Sequence, residues 1–200
     1  MTDEELVARY LQGDAEAFNT LAGRYQERMQ RLAMRLLGNS EDALDAVQET
    51  MVHLLRSLPS FQGQARFSTW LYRLAVNTCI DCRRHRGRSA PTVTLDSAEP
   101  RSEELTEDPD VHCEKGFREV VIDQALKALP GPQRLLIVLR DKEELPYEEI
   151  AAILNIEVGT LKSRLHRARG ALRRVLEAGI KVPGYEQEGV VRITPSGELV

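Results

Sequence analysis

Apolar side chains recur every three or four residues along most of this chain, and the recurrence breaks mainly at glycines and prolines. That period lays one stripe of each segment against a core and so specifies helices, because a half-buried strand would need strict alternation. Phe18, Leu21, Tyr25, Leu32 and Leu36 trace such a stripe through residues 14–37, and Gly38 follows where a helix should end. Asn39 or Ser40 can cap a second helix that runs to Leu58 and is halted by Pro59. Phe67, Trp70, Leu71 and Leu74 define the core stripe of a third, extending to about Arg86.

The period resumes at Phe117, Val120, Val121, Ala125 and Leu129, then stops at Pro130-Gly131-Pro132. Pro132 suits the first turn of a helix over residues 133–141, whose LLIVL run must be largely buried. Pro146 opens a further helix over 147–154. Between Gly87 and Glu114 the period vanishes, three prolines enter and acids dominate, which reads as a flexible linker. The expected fold is therefore all-α: two small helical domains, residues 1–87 and 115–178, joined by a flexible acidic linker, 88–114. The tail, 179–200, contains the strand-like VVRIT, but one short apolar patch near a terminus is expected to fray, and we read the tail as disordered.

Composition narrows the setting. No wholly apolar run is longer than that at residues 135–139, far short of the roughly 20 residues that span a bilayer. The start, MTDEEL, is acidic where a signal peptide would be basic and then apolar, so the expected site of action is the cytoplasm. Cys79, Cys82 and Cys113 are too few for a disulfide framework and are expected to be reduced.

A net charge of −4 conceals an ordered pattern. Arg83, Arg84, Arg86 and Arg88 surround His85, residues 162–174 are basic, and the stretch from Asp96 to Glu114 between them is acidic. Two nucleic-acid-facing modules with a polyanionic connector would be arranged in this way.

GTLKSRLHRARGALRR, residues 159–174, holds seven Lys, Arg and His side chains and no carboxylate. As a helix it aligns Leu161, Leu165, Ala168, Leu172 and Val175 on a core side. Ser163, His166, Arg167, Gly170 and Arg174 face the other way, flanked by Lys162 and Arg173. Small and hydrogen-bonding groups ringed by cations suit a nucleic-acid groove, although a solvated surface helix would look similar in isolation. Its context decides. In YEEIAAILNIEVGTLKSRLHRAR a short helix, a turn through Asn155 to Gly159 and the basic helix follow one another, and Asn155 tolerates a left-handed backbone. This is the helix-turn-helix pattern, with the basic helix placed to enter the major groove.

The third helix offers a second candidate. Opposite its core stripe lie Tyr72, Arg73, Val76, Ile80, Arg83 and Arg84, with Asn77 at the edge; such a surface suits unpaired bases, or equally a protein partner. In the second helix Leu44, Val47, Met51, Leu54 and Leu55 are expected to point inward, while Asp42, Asp45 and Glu49 share an outer side. That acidic side could meet a basic protein or simply be solvated.

EDALDAVQETMVHLLRSL, FSTWLYRLAVNTCIDCRR, ALKALPGPQRLLIVLRDKEELPYEEIAAIL and VGTLKSRLHRARGALRR together resemble, in order and spacing, bacterial RNA polymerase sigma factors of the extracytoplasmic-function group. The resemblance covers about residues 4–176. It implies an alternative sigma factor that binds core polymerase and recognises promoter elements. Residues 1–87 would correspond to sigma region 2 and residues 115–178 to region 4. Asp42, Asp45, Gln48 and Glu49 would dock on the beta-prime coiled coil. Asn77 and its neighbours would hold flipped bases of the minus-ten element, with Trp70 and Tyr72 near the point of strand opening and Arg73, Arg83 and Arg84 beside them. Lys162, Ser163, His166 and Arg167 would meet the minus-thirty-five element, and the apolar helix before them the beta flap. The acidic linker would thread toward the RNA exit path. An anti-sigma factor is implied as a further partner.

Two features depart from the family pattern. Glu157 stands in the turn where a small hydroxyl residue is common, and the tail runs past the usual end. Rival readings explain less. A helix-turn-helix regulator acting without polymerase accounts for residues 130–176 but not for the first 86. An antagonist of polymerase explains the acidic face but not two basic ones. Cys79, Cys82 and His85 rotate around one helix axis and do not converge on a metal, and no phosphate-binding glycine loop or nucleophile motif is present, so neither a cofactor nor catalysis is expected.

Overall fold

The computed structural model describes residues 1–89, 114–181 and 191, with side chains described for 1–85, 116–181 and 191. The described residues form helices α1 (Asp3–Leu11), α2 (Ala15–Leu37), α3 (Ser40–Ser57), α4 (Phe67–Ser89), α5 (Glu114–Lys127), α6 (Gly131–Ile137), α7 (Tyr147–Leu154) and α8 (Val158–Ala178). The architecture is all-α, as expected. Most of the linker, 90–113, lies outside the described residues; its expected ends do not, since Ser89 closes α4 and Glu114 opens α5.

Local chemistry sets the boundaries. The Asp14 carboxylate accepts from the Glu16 and Ala17 N–H groups at the start of α2, and Gly38 ends that helix at φ 87°, in the left-handed region. Asn39 caps α3 by accepting from Asp42 N–H. Helix α1 escaped the sequence reading; Thr2 and Glu5 form a reciprocal capping box at its start, and Leu6 and Val7 bury against the core.

Residues 133–141 do not form one regular helix. The chain turns as α-helix to Ile137 and then widens into a π-turn, Val138–Lys142. The Glu143 N–H reaches back five residues to Val138 O at 2.9 Å, and Leu145 N–H to Leu139 O at 3.1 Å. The inserted residue lets Val138 and Leu139 stay buried while the Glu143 side chain also turns inward.

Helices α1–α4 and α5–α8 each bring apolar stripes inward, and the two groups share one continuous core from Leu6, Leu21 and Leu32 through Phe67 and Leu71 to Leu139, Ile150, Leu161 and Leu165. Arg134 binds the groups together from within. Its Nη1 donates to Leu36 O at 3.1 Å, at the end of α2, and its Nη2 to Lys127 O at 2.5 Å and Leu129 O at 3.3 Å, at the end of α5. Cations are favoured at such carbonyl-rich helix ends. Burial, and secondarily Arg83, lowers this guanidinium to about 10, which leaves it charged at neutral pH.

Most of the tail is outside the described residues, but Val191 is not loose. It exchanges two 2.8 Å backbone hydrogen bonds with Ile180 and buries against Val121, Phe117 and Val120. The apolar face of α5 gives it a seat that the isolated VVRIT patch could not reveal.

Candidate nucleic-acid interface

Helices α7 and α8 form a helix-turn-helix. Ile150, Ala151 and Ile153 of α7 are buried in the same core as Leu161, Leu165 and Ala168 of α8. Asn155 turns the chain at φ 51°, ψ 51°, and Ile156 N–H closes the turn on Ala151 O at 3.0 Å. Glu157 occupies the N-cap of α8 in extended backbone without a side-chain cap bond. Its negative charge at a helix N-terminus is electrostatically favourable.

Lys162, Ser163, His166 and Arg167 are all exposed on one side of α8, as expected. Ser163 Oγ donates to Thr160 O at 2.9 Å, and Lys162 Nζ lies 5.7 Å from the centre of the Tyr147 ring, which also receives Arg140 at 4.8 Å. Arg169 differs: its guanidinium is engaged by both carboxylate oxygens of Asp141, Nε at 3.0 Å, so its charge is locally neutralised.

The third-helix candidates divide. Asn77, Arg73, Arg83 and Arg84 are exposed and Trp70 is half-buried, but Tyr72 is completely buried and Val76 nearly so. These two were expected on the open side of α4. They are covered because α7 and the turn after the π-turn pack on that side. Tyr72 Oη donates to Glu143 Oε2 at 2.7 Å, and desolvation together with this carboxylate pushes the phenol well above its ordinary value. Arg73 Nη2 donates to Ala152 O at 2.6 Å, and Thr69 Oγ1 to Glu149 Oε2 at 2.8 Å. The Arg83 guanidinium lies so close to Gly131 that a Cβ there would sit 1.7 Å from Nη1, and the arginine tip would have to move aside for any other residue.

On α3, Asp45, Gln48 and Glu49 are exposed and Asp42 half-buried. Ala43, Ala46, Val47, Thr50 and Leu54 form the buried stripe, whereas Leu44 and Leu55, expected inside, are 45% and 43% exposed. With Gln48 and Val52, which is 43% exposed, they make a second stripe at helical spacing beside the acids. The outer side of α3 is thus mixed apolar and acidic, a composition more typical of a docking face than of a solvated one. Cys79 faces the core, where desolvation first and Cys82 second push its thiol up to about 12. Cys82 lies 3.8 Å from Glu49, and burial, Glu49 and Asp42 raise it as well.

A helix-turn-helix with an open basic face, carried with a second helical group that offers cations and aromatics on one helix and acids on another, defines a DNA-binding protein with more than one interaction module. Residues 21–89 match the sigma-70 region 2 family model, and residues 119–172 match sigma-70 region 4. The chain is 38% identical over 179 residues to the ECF RNA polymerase sigma-E factor of Salmonella typhimurium, covering 86% of this chain and 93% of that one. It is 35% identical over 181 residues to the RNA polymerase sigma-H factor of Pseudomonas aeruginosa, covering 88% and 94%. Among solved structures it is similar to the sigma factor RpoE of Bartonella quintana in complex with the anti-sigma factor NepR, with a TM-score of 0.66, 25% identity and coverage of 81% of this chain and 98% of that one. The chain belongs to the extracytoplasmic-function group of RNA polymerase sigma factors. It is an alternative sigma factor, an initiation factor that gives transcription its promoter specificity.

Proposed function

We propose that residues 1–87 and 115–178 divide this work as regions 2 and 4, joined by the 88–114 linker, in the cytoplasm. Core polymerase performs the phosphodiester chemistry, and this chain supplies promoter affinity and holds the melted strand. Asp42, Asp45, Gln48 and Glu49 engage the beta-prime coiled coil, with Leu44, Val52 and Leu55 adding apolar contact. Asn77, Arg73, Arg83 and Arg84 hold the minus-ten element, with Trp70 and the buried Tyr72 near the point of strand opening, and trap unpaired bases whose unstacking costs a few kilocalories per mole. Lys162, Ser163, His166 and Arg167 meet the minus-thirty-five element, and α6 meets the beta flap. An anti-sigma factor is the expected regulator, supported by the NepR-bound relative. The exposed side of α8 at Lys162, Ser163, His166 and Arg167 carries this reading furthest.

Run-off transcription with bacterial core polymerase and a library of promoter templates tests it. Initiation at defined start sites should require the protein. Asp45→Arg with Glu49→Arg should weaken polymerase association about tenfold or more, because like charges then face the basic partner, with the helical circular dichroism unchanged. If the wild type shifted duplex DNA but neither bound polymerase nor started transcription, it would be a self-sufficient regulator instead.

A further inference from the structure

Helix α8 begins on an acid that its own fold does not use. Glu157 is exposed, stands at the N-cap in extended backbone (φ −66°, ψ 142°) and accepts no capping bond. The helix dipole favours any acid here, and the shorter aspartate, or a serine or threonine, would cap the helix as well, so the stability of α8 gives no reason for glutamate. Seven Lys, Arg and His side chains follow in residues 159–174, yet Glu157 forms no ion pair among the described residues, and no other carboxylate occurs before Glu177. Gly159, two residues on, is exposed, and no atom from elsewhere in the fold comes within 4 Å of where its Cβ would stand. The first turn of α8 is therefore open to close approach. In the major groove a recognition helix sets its N-terminal residues against base edges. There a carboxylate is repelled by phosphates, by guanine O6 and N7 and by thymine O4, and adenine sets the acceptor N7 beside its amino group. Cytosine alone presents an amino donor, N4–H2, with no acceptor next to it.

We propose that Glu157 is a specificity-determining residue of this chain, its carboxylate accepting from the N4 amino group of a cytosine at one position of the minus-thirty-five element. The inference rests on the reading of α8 as the helix that meets that element. Lys162 and Arg167 supply attraction to any duplex, and Glu157 makes that attraction conditional: one base pair satisfies the carboxylate, and the other three leave it facing acceptors. Selection at this position therefore works by rejection as much as by attraction.

The test is run-off transcription by holoenzyme on templates whose minus-thirty-five element is randomised, with each RNA carrying a barcode of its template, for the wild type, Glu157→Ala and Glu157→Thr. The wild type should favour C·G over the other pairs at one position by about tenfold. Both variants should lose that preference and keep the wild-type preferences at the remaining positions. Templates without the cytosine should yield as much RNA as with the wild type, or more, because the repulsion is gone. Glu157→Thr restores a capping hydroxyl while removing the carboxylate, so a role confined to the helix end would be rescued by it. Preference lost in Glu157→Ala but retained in Glu157→Thr would thus overturn the proposal. A uniform change of yield across all templates would overturn it as well, since charge or stability alone would explain that. Lys162→Ala with Arg167→Ala on the same library separates its failure from that of the reading beneath it. If that pair abolishes the base preferences while Glu157→Ala changes none, the proposal falls and the minus-thirty-five reading stands; if neither changes them, both fall.

Discussion

Replacing Lys162 and Arg167 together with alanine should lower initiation from a promoter carrying both elements by about a hundredfold, without weakening the association with core polymerase. Each side chain is exposed on the free side of α8, so its removal leaves the core at Leu161, Leu165 and Ala168 intact. A specific base contact is worth about 1–3 kcal/mol, and two lost contacts of about 1.4 kcal/mol each amount to two decades in affinity. Arg169→Ala is the informative comparison. That guanidinium is already held by Asp141, so its loss should cost much less than the loss of Lys162 or Arg167 alone, although each removes one positive charge. Run-off yield on one template, measured beside a native-gel assay of holoenzyme, checks both. If Arg169→Ala were as damaging as Lys162→Ala or Arg167→Ala, the general field of the helix would be responsible rather than the named contacts. The salt dependence of promoter binding would then fall in step with charge removed.

Much of the fold was legible because its signals are local. Asp14, Gly38, Asn39 and Asn155 each act within a few residues of their own position, through a cap or a left-handed backbone. The basic side of α8 was legible for the same reason: one stripe faces the core and the other is left open. What escaped depends on partners distant in sequence. The period of α4 cannot reveal that Glu143, 71 residues after Tyr72, turns that ring into a core residue. Nor can the period of α3 decide between two apolar stripes, and small Ala43 and Ala46, rather than Leu44 and Leu55, allow its close packing. The π-turn escaped because LLIVL reads equally well as regular helix; the later acidic residues reveal the need to turn one carboxylate inward.

The second large effect concerns stability. Phe67, fully buried, is the hub of an aromatic cluster, its ring centre 5.6 Å from Tyr25 and 5.9 Å from both Phe61 and Trp70. Phe67→Ala should cost about 3–5 kcal/mol, because rings held on several sides cannot all collapse into the space left behind. Against a total of about 5–15 kcal/mol, that is a large share of what keeps the chain folded. Phe67→Leu retains most of the contact and should lose much less. Trp70 is the sole tryptophan, so its emission reports this cluster directly during urea unfolding. Circular dichroism follows all the helices at once. Because the core runs without interruption from Leu21 to Leu165, the two probes should give coincident transitions in the wild type. In Phe67→Ala the Trp70 transition should move to lower urea. If the circular dichroism moves with it, the two helical groups unfold as one unit. If it lags behind, α5–α8 stand by themselves once α4 is lost, and the shared core adds contact without cooperativity.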